Sequence, residues 1–171
     1  MATVRKFGGV QYLWTCHTIG VNSAGNNDSP PADRMGIDWF QIQTQPTFQI
    51  SHSGRIFDPA AAANNPRSYY LPSLAVNNNG DIVVGCSGSS ANALDYIGAF
   101  YTRQPGNGGL MSAPIPYRTG AQYVTHNRWG DYSYTSSDPD GVTIWTIQEY
   151  AYPNDFWGTQ IAAIKPFAGG Q

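Results

Sequence analysis

The sequence predicts an all-β protein built from antiparallel units of about four strands. Three observations support this prediction: β-like runs recur along the 171-residue chain, turn signals separate them, and aromatic residues are abundant at 13%. The only helical signal is the alanine run 60–63, and Pro59 and Pro66 limit it to a turn or two. The chain therefore belongs to the all-β class.

Three β-like runs begin successive units, and each is followed, after a polar loop, by a second run. The pairs are Tyr12–Gly20 with Met35–Ile42, Ile82–Ser90 with Tyr96–Arg103, and Thr143–Ala151 with Trp157–Ile164. The second and third units begin about 61 residues apart, and the loop in the first unit is about ten residues longer. A fixed period of this kind indicates a repeat architecture.

Turn signals separate further strands. Val76–Asp81 and Asp138–Gly141 each lie between two β-like runs, and they contain Asn, Asp and Gly, which tolerate the positive φ of tight hairpin turns. A third predicted turn is His52–Gly54, between Thr47–Ile50 and Arg55–Phe57. We therefore expect hairpins at all three places.

Antiparallel four-stranded units at this period are typical of β-propeller blades. We count three strands in a first blade, four in a second and three in a third, which makes about two and a half blades. The expected divisions are a partial blade over 1–58, a full blade with its leading loop over 59–125, and a partial blade over 126–171. Since a ring needs at least about four blades, other copies or further blades would complete it. The alternative is an irregular β-sandwich with a coincidental period.

Composition excludes several classes of protein. Charged residues make up 12% of the chain and the net charge is −2, so the basic face that nucleic acid requires is missing. The abundance of aromatics argues against disorder, and no apolar run is long enough to span a membrane. Uncharged polar groups with many Tyr and Trp favour a secreted or extracellular protein, although Met1–Phe7 has no apolar segment and is not an intact secretory signal.

The two cysteines and three histidines do not indicate a zinc site, because their spacing fits no zinc motif. Cys16 and Cys86 take the same place in successive repeats, too far apart for a disulfide, so we expect two buried free thiols. We expect no cofactor, although clustered oxygens at Asp138 and Asp140, or over 77–81, could bind Ca²⁺. The alternative is that each cluster is a turn that satisfies its own backbone.

Ser136–Trp145 resembles the Asp-box of the sialidase-like (BNR-repeat) propellers, whose pattern is Ser-x-Asp-x-Gly-x-Thr-Trp. It departs from that pattern by one extra residue between Asp138 and Gly141 and another before Trp145. The segments 70–81, 128–133 and 157–161 also resemble the C-terminal blades of large secreted bacterial proteins of this type, so the resemblance covers about the last 100 residues. The resemblance implies a propeller fold. It implies no activity, because the Asp-box of that family is a structural hairpin.

Sialidases use arginines to clamp a carboxylate, a tyrosine–glutamate nucleophile pair and an aspartate acid. The only glutamate here is Glu149, and Tyr132 on the neighbouring strand is its best geometric partner. Arg128 and Asp131 would complete a candidate catalytic cluster. The alternative is structural, with an ion pair between Arg128 and Glu149 and with Tyr132 capping a core.

Aromatic residues fall into two groups. Those in strand interiors are predicted to pack between blades: Tyr12, Trp14, Phe100 and Trp145. Aromatic residues near loops and strand ends could instead stack on sugars while amides bind the hydroxyls, and the candidate ligand-binding residues are Tyr69, Tyr96, Tyr101 and Trp157.

Three functions follow from this sequence. The first is an extracellular propeller module that binds a glycan or a protein partner. The second is a sialidase-type glycoside hydrolase that uses Glu149 and Tyr132 as its nucleophile pair. The third is a structural subunit that completes a ring with other copies, because an open array leaves unpaired strand edges.

Overall fold

Three antiparallel sheets make up the protein in a computed structural model that describes residues 2–27, 29–125 and 128–167. The strands are β1 (Ala2–Phe7), β2 (Val10–Val21), β3 (Arg34–Gln43), β4 (Gln49–Ile56), β5 (Ser68–Val76), β6 (Ile82–Ser89), β7 (Gly98–Gln104), β8 (Ile115–Arg118), β9 (Tyr134–Ser137), β10 (Ile144–Tyr152) and β11 (Phe156–Ile164). The described residues form one further element, a short 3₁₀ helix at Ala62–Asn64. The all-β prediction is confirmed.

Each sheet is a meander, because its strands lie side by side in chain order. We call them the N-sheet (β1–β4), the middle sheet (β5–β8) and the C-sheet (β9–β11). The N-sheet has four strands where the sequence analysis counts three, since Ala2–Phe7 pairs with β2 along its whole length. The four strands of the middle sheet and the three of the C-sheet agree with the prediction.

The predicted hairpins at 76–81 and 138–141 are present, joining β5 to β6 and β9 to β10. The hairpin predicted at His52–Gly54 is wrong, because β4 runs through these residues without a turn. Gly54 has a different role here: a Cβ at this position would lie less than 3.0 Å from the indole of Trp39. The glycine therefore marks a close packing contact within a strand.

The middle sheet lies between the other two. Its face towards the N-sheet forms an apolar core in which Trp14 and Trp39 of the N-sheet meet Leu74, Val84 and Phe100. Its opposite face meets the C-sheet in a smaller cluster: Ala75, Val83, Ile144 and Ile164. Among the described residues, no helix is long and apolar enough to cross a membrane.

Both cysteines are free and buried, as predicted. However, Cys16 and Cys86 belong to the same core cluster between the N-sheet and the middle sheet, so each side chain points towards the other's sheet. Equivalent positions in stacked repeats must point the same way along the stack, because side chains alternate along a strand. The predicted equivalence of the two cysteines is therefore wrong.

Burial should make both thiols unreactive in the native protein. It raises the pKa of Cys16 from 9.0 to about 11 and raises that of Cys86 as well. The native state thus keeps thiol protons that the unfolded state releases above pH 9. The free energy of unfolding therefore has its full contribution from the neutral thiols below pH 9, and this contribution is lost as the pH rises towards 11. We expect an aromatic disulfide reagent at pH 8 to label the thiols only after denaturant is added. Rapid labelling of the native protein would contradict this burial.

Candidate functional site

The three longest connections between strands lie at one end of the three sheets, which we call the loop end. Backbone hydrogen bonds attach two of the connections at this end to β10 of the C-sheet. The amide of Ala151 donates to the Ile97 carbonyl at 2.8 Å, and the amide of Ala121 donates to the Ala151 carbonyl at 2.9 Å. The described parts of the connections at this end are 22–27, 29–33, 57–67, 90–97, 119–125, 128–133 and 153–155, whereas the connections at the opposite end are 8–9, 44–48, 77–81, 105–114 and 138–143. Binding residues are concentrated on loops that a rigid scaffold positions, so a binding site is expected at the loop end.

A concave site of about 480 Å³, the loop-end cleft, lies where the connection between β6 and β7 meets the segment after β8. Its lining comprises Ser89, Ser90, Asn92, Ala93, Leu94, Asp95, Tyr96, Ile97, Tyr123 and Val124. Leu94 and Tyr123 are strongly exposed, at 79% and 65% of their surface. The volume lies within the range of about 300–1,000 Å³ that small-molecule sites occupy.

The floor of the cleft is held in place by Asp95. Its carboxylate pairs with the guanidinium of Arg67, with a distance of 3.1 Å between Nε and Oδ2, and also accepts a hydrogen bond from the hydroxyl of Ser90. The Arg67 guanidinium in turn lies 4.9 Å above the centre of the Phe100 ring. Since Phe100 belongs to the core, the cleft is attached to the rigid part of the molecule.

The Asn92 side chain joins the connection 90–97 to the connection 57–67 by hydrogen bonds. Its Oδ1 accepts a hydrogen bond from Asn65 at 3.2 Å, and its Nδ2 donates to the Asn65 carbonyl at 3.3 Å. The backbone amide of Asn92 donates to the Ser90 hydroxyl at 3.2 Å. These bonds fix the loop before any ligand arrives, which reduces the entropy lost on binding.

The structure brings one of the four predicted ligand-binding aromatics, Tyr96, to the loop-end cleft. Tyr69 is instead buried in the core, with its ring edge-on to Phe100 at 5.6 Å. Tyr101 is half-buried and packs against Tyr117. Sequence reasoning missed Tyr123, although a tyrosine in a loop beside a glutamine satisfies the rule that selected the others.

Trp157, the fourth predicted aromatic, is about half exposed at the loop end of the C-sheet. Its ring lies nearly parallel to that of Tyr132, at 10° with centroids 6.3 Å apart. The pair therefore presents two aromatic surfaces on the same end of the molecule as the cleft.

The predicted catalytic residues lie close together, but their contacts are structural. Glu149 is only 2% exposed, and its two carboxylate oxygens accept hydrogen bonds from the backbone amides of Gly130 at 2.7 Å and Tyr132 at 3.0 Å. Glu149 thus touches Tyr132 through the backbone. The carboxylate holds the segment before β9 against β10.

Arg128 does not pair with Glu149 as the structural alternative expected. It pairs with Asp131, three residues later, at 3.5 Å. Both side chains are largely exposed, so the pair contributes little to stability. Tyr132 is also about half exposed and does not cap a core.

The two turns considered for Ca²⁺ use their oxygens within the chain. In the turn between β9 and β10, Asp138 accepts hydrogen bonds from the Asp140 amide at 2.9 Å and the Trp145 indole at 2.7 Å. Asp140 accepts three more from Val142 and Thr143, and the Thr143 hydroxyl is the main cause that lowers the pKa of Asp140. The carboxylates of this turn thus stabilise the hairpin.

The turn between β5 and β6 is satisfied in the same way. Oδ1 of Asn77 accepts the amides of Asn79 and Asp81, each at 2.9 Å, while the Asp81 carboxylate accepts the Gly106 amide at 2.9 Å and the Asn77 side chain at 2.8 Å. Within the described ranges, no three His, Cys, Asp or Glu side chains form a cluster that could hold a metal. Both turns therefore support the backbone-satisfying alternative.

Comparison with known proteins adds no family to these observations. No protein-family model matches the chain, and no curated protein matches it. The resemblance of Ser136–Trp145 to the sialidase-like Asp-box therefore stays a prediction.

Proposed function

We propose that the three sheets are consecutive blades of a β-propeller and that the chain is an extracellular module which binds a glycan in the loop-end cleft. Each sheet is an antiparallel meander, and the middle sheet packs face to face with both neighbours. This arrangement supports blades of four, four and three strands, in place of the two and a half expected from the sequence.

The observation that carries the binding proposal is the composition of the loop-end cleft. Tyr96 and Tyr123 provide aromatic rings and phenol hydroxyls beside the apolar Leu94. A sugar has apolar C–H faces as well as hydroxyl groups, so it needs both kinds of surface at close range. Tyrosine serves both needs, because its ring is apolar and its hydroxyl forms hydrogen bonds.

A glycan fits this cleft better than a protein partner does. Specific protein interfaces bury about 800 Å² on each side and are broad. The cleft is concave, and a few neighbouring residues from two loops bound it. The Tyr132–Trp157 pair at the same end offers a further ring surface for a longer oligosaccharide.

The geometry supports binding more strongly than sialidase-type hydrolysis. A glutamate that activates a tyrosine must accept a hydrogen bond from the phenol hydroxyl. Both carboxylate oxygens of Glu149 are already engaged by backbone amides, and the Tyr132 ring stacks on Trp157. Glu149 therefore acts as a structural anchor in this proposal.

Tyr123→Ala should weaken glycan binding without altering the fold. Loss of one stacking ring costs about 1–1.5 kcal/mol, which corresponds to roughly a tenfold weaker affinity. The experiment is a glycan-array screen of the wild-type chain, followed by calorimetric titration of the best oligosaccharide. Leu110→Ala is the control, because Leu110 is an exposed apolar side chain on the connection 105–114, at the opposite end of the molecule from the cleft.

Two results would overturn the proposal. One is equal weakening by Tyr123→Ala and Leu110→Ala, and the other is a screen in which no glycan binds. Mass spectrometry of the oligosaccharide after incubation tests the hydrolase alternative: release of a sugar that is abolished in Glu149→Gln would identify an enzyme.

A further inference from the structure

The outer face of the C-sheet is apolar and exposed. Tyr134, Ile147 and Ile161 lie opposite one another across its three strands, and Trp145 and Ala163 form the next cross-strand pair. Trp145 is 41% exposed and Ile161 58%. We call this surface of five residues the C-face. Exposed apolar patches of this kind mark interaction sites.

The outer face of the N-sheet is apolar in a complementary way. Val4, Leu13, Ile42 and Ile50 lie opposite one another in a row that crosses all four strands. Val4 and Ile50 are about half exposed or more. We call this row the N-face. It lies on the side of the N-sheet opposite Trp14, because side chains alternate along β2.

The internal packing of the chain shows which kind of surface covers which. The face of the N-sheet that carries Trp14 is covered by the middle sheet, and the corresponding face of the middle sheet, which carries Val83, is covered by the C-sheet. The C-face is the next surface in this series. Trp145 lies on the second strand of its sheet as Trp14 does on β2, but Trp14 is 2% exposed. The prediction that Trp145 packs between blades is therefore wrong within this single chain.

We infer that the C-face of one copy of this chain packs against the N-face of a second copy. Within the chain, each sheet covers the sheet before it with the face that points towards the N-terminal end of the stack. The N-face is the face of the N-sheet that points in this direction, so it can cover a C-face in the same way. Two copies joined reciprocally supply six sheets, a number within the roughly 4–8 blades of known propellers. Such head-to-tail contacts close into a ring when the rotation permits.

The carboxylates and the arginine beside the two faces have partners, and Lys6, which points to the same side of β1 as Val4, is exposed near the end of that strand. Glu149, which points to the same side as the C-face, has its carboxylate occupied by two backbone amides, and the indole of Trp145 already donates to Asp138. Beside the N-face, Arg55 is paired with Asp38 at 2.5 Å. A lysine stem can extend so that the Lys6 ammonium stays in water at the edge of the contact. Coverage of these faces then removes apolar surface from water without the large cost of an isolated buried charge.

The inference is tested by the mass of the chain in solution, independently of any glycan. Light scattering on eluting wild-type protein should give twice the 18.6 kDa mass of one chain. Ile161→Asp on the C-face should halve that mass. Leu110→Asp is the matched control and should leave it unchanged, because Leu110 is 94% exposed on a connection away from both faces. A wild-type monomer would overturn the inference.

A second pair of variants distinguishes head-to-tail packing from pairing between two C-faces. Ile50→Lys on the N-face should also give a monomer. A mixture of Ile161→Asp with Ile50→Lys should recover the doubled mass. In the mixed dimer one contact joins two wild-type faces, and the other pairs the new aspartate with the new lysine. A dimer that survives Ile50→Lys, or a mixture that stays monomeric, would overturn the assignment. Circular dichroism of each variant confirms that the mass change does not come from unfolding.

Discussion

Gly85→Ala will lower the free energy of unfolding by about 3 kcal/mol, because overpacking of a core costs about 1–3 kcal/mol and each broken buried hydrogen bond about 1–3 kcal/mol. Gly85 lies on β6, on the face that packs against the C-sheet. A Cβ at this position would lie less than 3.0 Å from the Thr146 hydroxyl and the Gln148 side-chain amide. Urea unfolding followed by circular dichroism measures the change.

The effect is large because those two groups belong to a buried hydrogen-bond network between the sheets. Ser73 bonds to Thr135 at 2.7 Å, and Thr135 bonds to Thr146 at 2.9 Å. The amide of Gln148 donates to Ser73 at 2.8 Å and to Thr146 at 3.0 Å. All four side chains are essentially buried, so a shift that breaks one bond leaves a polar group without water.

Gly20→Ala is the matched control. Gly20 also lies in a strand, and the nearest atom to its added Cβ is the side-chain carbon of Ala32 at 3.2 Å. This contact is tight but apolar and lies beside a loop that can yield. If both variants lose the same stability, the cost is not specific to the polar network, and the proposed role of Gly85 is wrong.

The sequence predicted the strands and turns whose signals are local. Asn77 and Asp138 satisfy the backbone of their own hairpins, so the turn residues directly determine the geometry. The failures depend on contacts between distant residues. Gly54 has the local pattern of a turn residue but makes room for the ring of Trp39. Which face of its sheet each cysteine occupies depends on how the sheets pack, and Cys16 and Cys86 face each other's sheet.

The candidate site was predictable only in part for the same reason. Tyr96 lies near the end of a predicted strand, where exposure is the rule, and it lines the cleft. Tyr69 has the same local pattern but points into the core, since the irregularity in the pairing of β5 between Tyr70 and Ser73 changes which residues face inwards. Tyr123 reaches the cleft from a different sheet connection, and only the fold brings it beside Tyr96.

Glu149→Gln should destabilise the protein by about 2 kcal/mol, because a hydrogen bond to a charged group contributes about 1.5–3 kcal/mol. The wild-type carboxylate accepts one amide at each oxygen, from Gly130 and from Tyr132. A glutamine keeps one acceptor oxygen, but its NH₂ group would face the second amide, donor against donor. Thermal and urea unfolding measure the loss.

Asp131→Asn is the matched control, because it removes one carboxylate from the same segment. Asp131 is largely exposed and pairs with the exposed Arg128 at 3.5 Å, so its loss should change stability by less than about 1 kcal/mol. The comparison separates a local effect of Glu149 from a general effect of charge on the segment before β9. Equal losses in both variants would contradict the structural role of Glu149.

The stability of Glu149→Gln also distinguishes a glycan-binding role from sialidase-type hydrolysis. A catalytic glutamate held in a strained or poorly solvated site commonly gains stability when it is neutralised, since the site is arranged for the transition state and not for the ground state. An anchor whose charge accepts two backbone amides must lose stability instead. If Glu149→Gln unfolds at a higher urea concentration than the wild type, the catalytic alternative is favoured over the structural one. A clear loss of stability instead identifies Glu149 as the residue that fixes the loop end to the C-sheet.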